Sequence, residues 1–187
     1  MRLLYSLSLL VVFNLASAQS PLYKKKLVFS SINSIGLLSG SSGDNFTVQT
    51  INGVRCNQWN IGVGTGLDWY GIRTIPLVAD VRRYFTKNKN QPFLYANGGI
   101  SFVWAKTLPE TLYYTNKVDY KRSFCGEVGL GYKVALKNAT SLALSAGYSY
   151  KKISFDQYYY AGIRGTELKE TYSYNYRRIA LRIGLQF

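Results

Sequence analysis

Apolar and polar residues alternate along most of this chain with the two-residue period of a β-strand. The last nine residues show it most plainly. Ile179, Leu181, Ile183, Leu185 and Phe187 fall on one face, and Ala180, Arg182, Gly184 and Gln186 on the other. An internal stretch repeats the pattern, with Trp59, Ile61, Val63, Thr65, Leu67 and Trp69 set against Asn60, Gly62, Gly64, Gly66, Asp68 and Tyr70. Its two tryptophans bracket about ten residues, the length with which a tilted strand crosses a bilayer. Their amphipathic rings suit the two membrane interfaces. Glycine at three successive positions of the polar face would pack poorly in a water-soluble core.

Eight segments carry this pattern, near residues 27–38, 46–55, 59–70, 73–85, 92–104, 120–136, 141–155 and from 171 to the end. The first is the weakest, because Ser30, Ser31, Asn33 and Ser34 blur its alternation. Pro76 weakens the fourth, since proline cannot donate to a ladder. With an even number of strands, both ends lie on one side. That side has the short turns at 57–58, 86–91 and 137–140, and the other has the connections at 39–45, 70–72, 106–119 and 156–170. Short turns on one rim and two of the longest loops on the other, with 70–72 a short exception, are the asymmetry of an outer-membrane barrel, with the short side periplasmic. The expected fold is therefore all-β, an eight-stranded antiparallel up-and-down transmembrane barrel.

The amino-terminal residues supply the address. Arg2 precedes an apolar run at 3–15, and Ala16-Ser17-Ala18 forms a small-x-small cleavage site. This is the pattern of a secretory signal peptide over residues 1–18. The barrel domain then occupies 19–187, with the cell outer membrane as its destination. No later run of 18 apolar residues offers a helical span. The formal charge of +14 suits anionic headgroups or surface polysaccharide. It does not suit nucleic acid, for no helix or aromatic motif organises the basic residues. Cys56 and Cys125 fall near opposite ends of the strand map, too far apart for a disulfide, and are expected to be unpaired and buried.

These features resemble the small eight-stranded outer-membrane barrels of Gram-negative bacteria, the OmpA/OmpX-like group. The chain is most similar to the Bacteroidetes-type outer membrane protein beta-barrel families. The resemblance rests on residues 59–70, on Ile75-Pro76-Leu77-Val78-Ala79-Asp80-Val81-Arg82, on Pro92-Phe93-Leu94-Tyr95-Ala96-Asn97-Gly98-Gly99 and on the terminal strand. It implies delivery to the barrel-assembly machinery. The family's assembly signal commonly has glycine five residues before the terminal aromatic, where this chain has Arg182.

An eight-stranded lumen is just wide enough to be filled by side chains. Charges there must pair or cost several kcal/mol each. The inward candidates are Asp68, Asp80, Arg82, Glu127, Lys133, Arg178 and Arg182, and the three acids are expected to pair with Arg82, Lys133, Arg178 or Arg182. Gly62, Gly64, Gly66, Gly129, Gly131 and Gly147 are expected to make room for the arginines. Tyrosines gather near the two longest loops. Tyr113, Tyr114, Tyr158, Tyr159 and Tyr160, with Lys121, Arg122 and Arg164, form a candidate surface for sugars or anionic polymers such as lipopolysaccharide. Lys151 and Lys152 extend that basic set.

The chain has no histidine, which removes Ser-His-Asp chemistry, histidine acid–base catalysis and typical zinc sites. No catalytic residue, metal ligand or cofactor site stands out. The expected role is non-enzymatic, structural or surface-interacting through extracellular loops. A narrow porin-like channel for small solutes or ions is the first alternative. A soluble secreted lipocalin-like ligand binder, with its apolar face inside, is the second.

Overall fold

The computed structural model describes residues 27–41, 43–104, 117–136, 140–161 and 166–187; for 117, 160, 161, 166 and 167 it describes the backbone alone. The signal-peptide reading, Tyr113, Tyr114 and Arg164 lie outside the described residues. Alternation gives nine strand segments: β1 (Leu27–Ser39), β2 (Asn45–Cys56), β3 (Trp59–Trp69), β4 (Arg73–Tyr84), β5 (Gln91–Val103), β6 (Lys117–Lys121), β7 (Ser123–Ala135), β8 (Ser141–Ala161) and β9 (Thr166–Gln186).

β6 and β7 are halves of one barrel strand. Both pair with β8, Lys121 lying opposite Ser154 and Cys125 opposite Lys151. One extra residue therefore sits on the β6–β7 side, a β-bulge at Arg122 that the alternation had not disclosed. Ser123 braces it, its hydroxyl donating to the Lys121 carbonyl at 3.1 Å and accepting from the Ser154 amide at 3.2 Å. Each remaining strand pairs antiparallel with its neighbours, and the β8–β9 pairing closes the sheet. The result is a closed eight-stranded barrel.

The register fixes its size. A path through paired residues runs from Leu27 to Cys56, Trp59, Arg83, Leu94, Leu130, Ala146 and Leu181, and returns to β1 at Leu37. One circuit thus advances ten residues along β1. With strands about 4.8 Å apart, that stagger requires a tilt of about 40° and a backbone radius of roughly 8 Å. Such a bore holds side chains and little else.

The faces divide as the alternation requires. Ile35, Leu37, Phe46, Val48, Ile61, Val63, Leu130, Leu144, Leu181 and Ile183 are exposed on the outside. Among the described residues, buried polar residues outnumber buried apolar ones. A soluble lipocalin-like barrel needs the reverse arrangement, so that alternative is overturned. Pro76 pairs with Ser101 of β5, whereas the β3–β4 pairing has a gap between Thr65–Leu77 and Asp68–Thr74. Asn57 takes the left-handed conformation (φ 55°) at the tight reversal between β2 and β3, one that asparagine tolerates.

Two expectations need correction. β8 and β9 are paired from Ser141–Gln186 as far as Ala161–Thr166. The anticipated loop at 156–170 is therefore mostly a hairpin. Its sequence lacks clean alternation, which hid the strands. Cys56 and Cys125 are both free, as expected, but Cys56 is only half buried, because it lies at the end of β2 on the outward face.

Candidate functional site

Three ion pairs cross or line the lumen. Nearest the long-loop rim, Lys151 on β8 reaches across to Asp68 on β3, its Nζ lying 2.6 and 2.5 Å from the two carboxylate oxygens. The same ammonium donates to Thr74 Oγ1 at 2.7 Å, and the Thr74 hydroxyl donates to Asp68. It also lies 4.5 Å from the centre of the Tyr70 ring, and the Tyr70 hydroxyl meets Ser149 at 2.5 Å. At mid-lumen, Arg182 donates to both Glu127 oxygens at 3.0 and 2.7 Å, and to Thr47 at 3.1 Å. Tyr95 supplies Glu127 with a further hydrogen bond of 2.7 Å. The third pair joins Asp80 and Arg82, neighbours on the inner face of β4, with Nε 2.9 Å from Oδ1. Its guanidinium lies 5.5 Å from the ring centres of both Phe93 and Tyr95.

The short-turn end is closed by aromatic and amide groups. Tyr84, Phe93, Tyr95 and Ala143 form a buried cluster. The Tyr84 hydroxyl donates to Gln186 at 2.9 Å, and the Gln186 amide donates to Ser30 at 3.0 Å. Lys133 and Arg55 lie 5.2 and 4.8 Å from the Tyr84 ring centre. Both donate to the Gln91 amide oxygen, at 3.0 and 3.1 Å.

The expected pairing is thus met in part by different residues. Asp80 takes Arg82 and Glu127 takes Arg182, but Asp68 takes Lys151. Lys151 is thus not one of the surface cations, and continuing the inward series Ala143, Ser145, Gly147 and Ser149 by one step places it inside. Lys133 and Arg178 make no ion pair among the described residues. Arg178 is buried, with its guanidinium 5.0 and 5.8 Å from the Tyr70 and Tyr176 ring centres. One nitrogen donates weakly to the Leu38 carbonyl at 3.4 Å, while Nε and Nη2 have no hydrogen-bond partner among the described residues.

The glycines also serve differently. A Cβ at Gly131 would strike the Phe93 ring, and one at Gly147 the Tyr95 hydroxyl. These positions make room for aromatics. The glycines that accommodate arginine are Gly36 and Gly40, where a Cβ would lie 2.8 and 2.9 Å from the Cγ atoms of Arg182 and Arg178. Between Asp68, Glu127, Lys151 and Arg182 remains a cavity of about 20 Å³, room for one water.

The second candidate region is the β8–β9 hairpin beyond the barrel. Phe155 stacks on Tyr172 and Tyr174, with ring centres 5.6 and 5.9 Å away, and meets Tyr120 edge-on at 5.5 Å. Asp156 is clamped by Lys121 at 2.7 Å, Lys169 at 2.9 Å and the Thr171 hydroxyl at 2.7 Å. Glu170 accepts from Tyr159 at 2.7 Å and Tyr172 at 2.5 Å. Of the surface candidates, Lys121 therefore holds the hairpin, and Tyr158 lies beneath the Lys169 ammonium at 5.7 Å. The Tyr160 backbone pairs with Glu167. Arg122 lies apart from this group, at the bulge and over Phe102 of β5.

Hydrogen bonds from Lys121, Thr171 and Lys169 hold the Asp156 carboxyl below its ordinary value of 3.8. A depressed carboxylate contributes above its unfolded value and is lost only as pH falls through the lower folded one. Amide exchange in the hairpin should accordingly be unchanged between pH 7 and 4.5, beyond the intrinsic pH effect. In Asp156→Asn it should rise severalfold at both pH values. An onset of loosening near pH 5 in the unaltered chain would refute the clamp.

No family model and no curated protein sequence matches the chain. Solved structures do. The outer membrane protein OprG from Pseudomonas aeruginosa superposes with a TM-score of 0.60 at 9% identity, over 84% of this chain and 94% of that one. Neisserial surface protein A gives 0.51 at 19% identity, over 86% and 97%. The outer membrane protein AlkL, solved in lipid bilayers, gives 0.51 at 14% identity, over 91% and 93%. At such identities the likeness is one of fold. The closed barrel with an apolar exterior is the fold these outer-membrane proteins share.

Proposed function

We propose that this barrel is a non-enzymatic surface protein, a closed pedestal that presents the β8–β9 hairpin outside the cell. The observation that carries the reading is the filled lumen, with three ion pairs along it and a central space fit for one water. The long-loop rim faces outward by the general asymmetry of such barrels. The hairpin there exposes the mixture of phenol rings and ammonium groups that suits saccharides and anionic polymers.

Deleting residues 158–168 should leave the barrel folded, judged by unchanged heat-modifiable gel migration, and abolish binding of intact cells to an acidic polysaccharide surface. Undiminished binding by the deletion variant would refute the proposal.

Arg178 favours a second reading, a narrow channel. Its buried guanidinium has two nitrogens without partners, and an opened lumen carrying it would favour anions.

A further inference from the structure

The bulge at Arg122 has an outcome on the membrane-facing surface. Bulges re-aim side chains, and this one leaves Arg122 exposed with its guanidinium carbon 5.7 Å from the Phe102 ring centre. On the opposite flank of β5, Arg73 is exposed, 5.9 Å from the Trp104 ring centre. Arg73 is opposite Trp69 in the β3–β4 register, and the Trp104 amide donates to its carbonyl at 2.8 Å. Tryptophan, arginine, tryptophan, phenylalanine and arginine thus follow one another across four neighbouring strands at the long-loop rim.

Neither guanidinium has a carboxylate partner among the described residues. Asp68, Asp80 and Glu127 are paired inside the barrel, and Asp156 is taken by Lys121 and Lys169. The two backbones stand about 12 Å apart, two strand spacings across and two residues along. Arginine side chains converging over the intervening rings can reach one headgroup from both sides. Guanidinium is suited to phosphate by its forked donors, and stacking on an aromatic ring limits its freedom before binding.

We infer that Arg73 and Arg122, displayed on either side of β5 by Trp104 and Phe102, clamp the phosphate of a net-anionic lipid headgroup at this rim. The site needs the transmembrane barrel but not the hairpin's proposed role. Arg83, which lies over Trp59 at the other rim with its guanidinium carbon 5.3 Å from the ring centre, is single and serves as the control.

The test is native mass spectrometry of the full chain folded in mixed micelles of phosphatidylcholine and lipopolysaccharide, with intact folding checked by heat-modifiable migration. The unaltered chain should retain lipopolysaccharide in preference to phosphatidylcholine. The Arg73→Gln/Arg122→Gln variant should lose roughly 30-fold of that preference, as expected for two basic groups at a lipid surface. Arg83→Gln should leave it unchanged. Arg73→Lys/Arg122→Lys should restore the part that charge alone supplies and still fall short of the unaltered chain, because an ammonium lacks the forked donors. Equal retention by the double glutamine variant, equal loss in Arg83→Gln, or full retention by the lysine variant would each overturn the clamp. Displacement of the lipid by millimolar inorganic phosphate would do the same, since the ligand would then be free phosphate.

Discussion

Replacing Lys151 with methionine will destabilise the folded barrel by about 3–5 kcal/mol, the usual cost of removing one member of a buried ion pair. Asp68 would keep its hydrogen bond from Thr74 but lose both contacts to the ammonium. A carboxylate in a narrow, almost dry bore must then bind a proton or remain charged at a cost. Asp68→Asn/Lys151→Met should recover to within about 1 kcal/mol of the unaltered chain, because a buried pair replaced by neutral groups of similar volume is often nearly neutral. Urea titration in lipid vesicles, read by heat-modifiable migration, measures both. A single variant as stable as the unaltered chain would show that the pair carries no such weight.

Arg182→Ala should cost a comparable 3–5 kcal/mol for a second reason as well. Arg182 satisfies both Glu127 oxygens and Thr47, and its side chain borders the small central cavity. Truncation leaves Glu127 with the Tyr95 hydroxyl alone and enlarges the void. Adding Glu127→Gln should return a substantial part of the loss, and adding Asp80→Asn should return little, because Asp80 already has Arg82 at 2.9 Å. The same urea titration measures these variants. Equal recovery from both would mean that the lumen charges act as one pool instead of as defined pairs.

The parity of most barrel strands was legible in the sequence, the blurred first strand excepted, because a bilayer outside and a filled bore inside impose opposite chemistry on adjacent residues. Trp59–Trp69 shows this with only Thr65 polar on the outer face, and Asp80 with Arg82 could be read as a same-strand inward pair. Three things were not legible. The Asp68–Lys151 pair depends on the stagger that brings these two residues to one height on opposite sides of the bore, which only the strand register determines. The bulge at Arg122 arises from one extra residue whose neighbours show no break in composition. The hairpin beyond the barrel has water on both faces, so nothing forces its residues to alternate, and its tyrosines read as loop. Arg178 was legible as inward, but its lack of a carboxylate partner follows from distance alone.

The filled lumen is the central claim, and planar-bilayer recording of the refolded, unaltered chain tests it most directly. The account predicts no resolvable current steps from this protein. Steady, reproducible steps from the unaltered chain would contradict it.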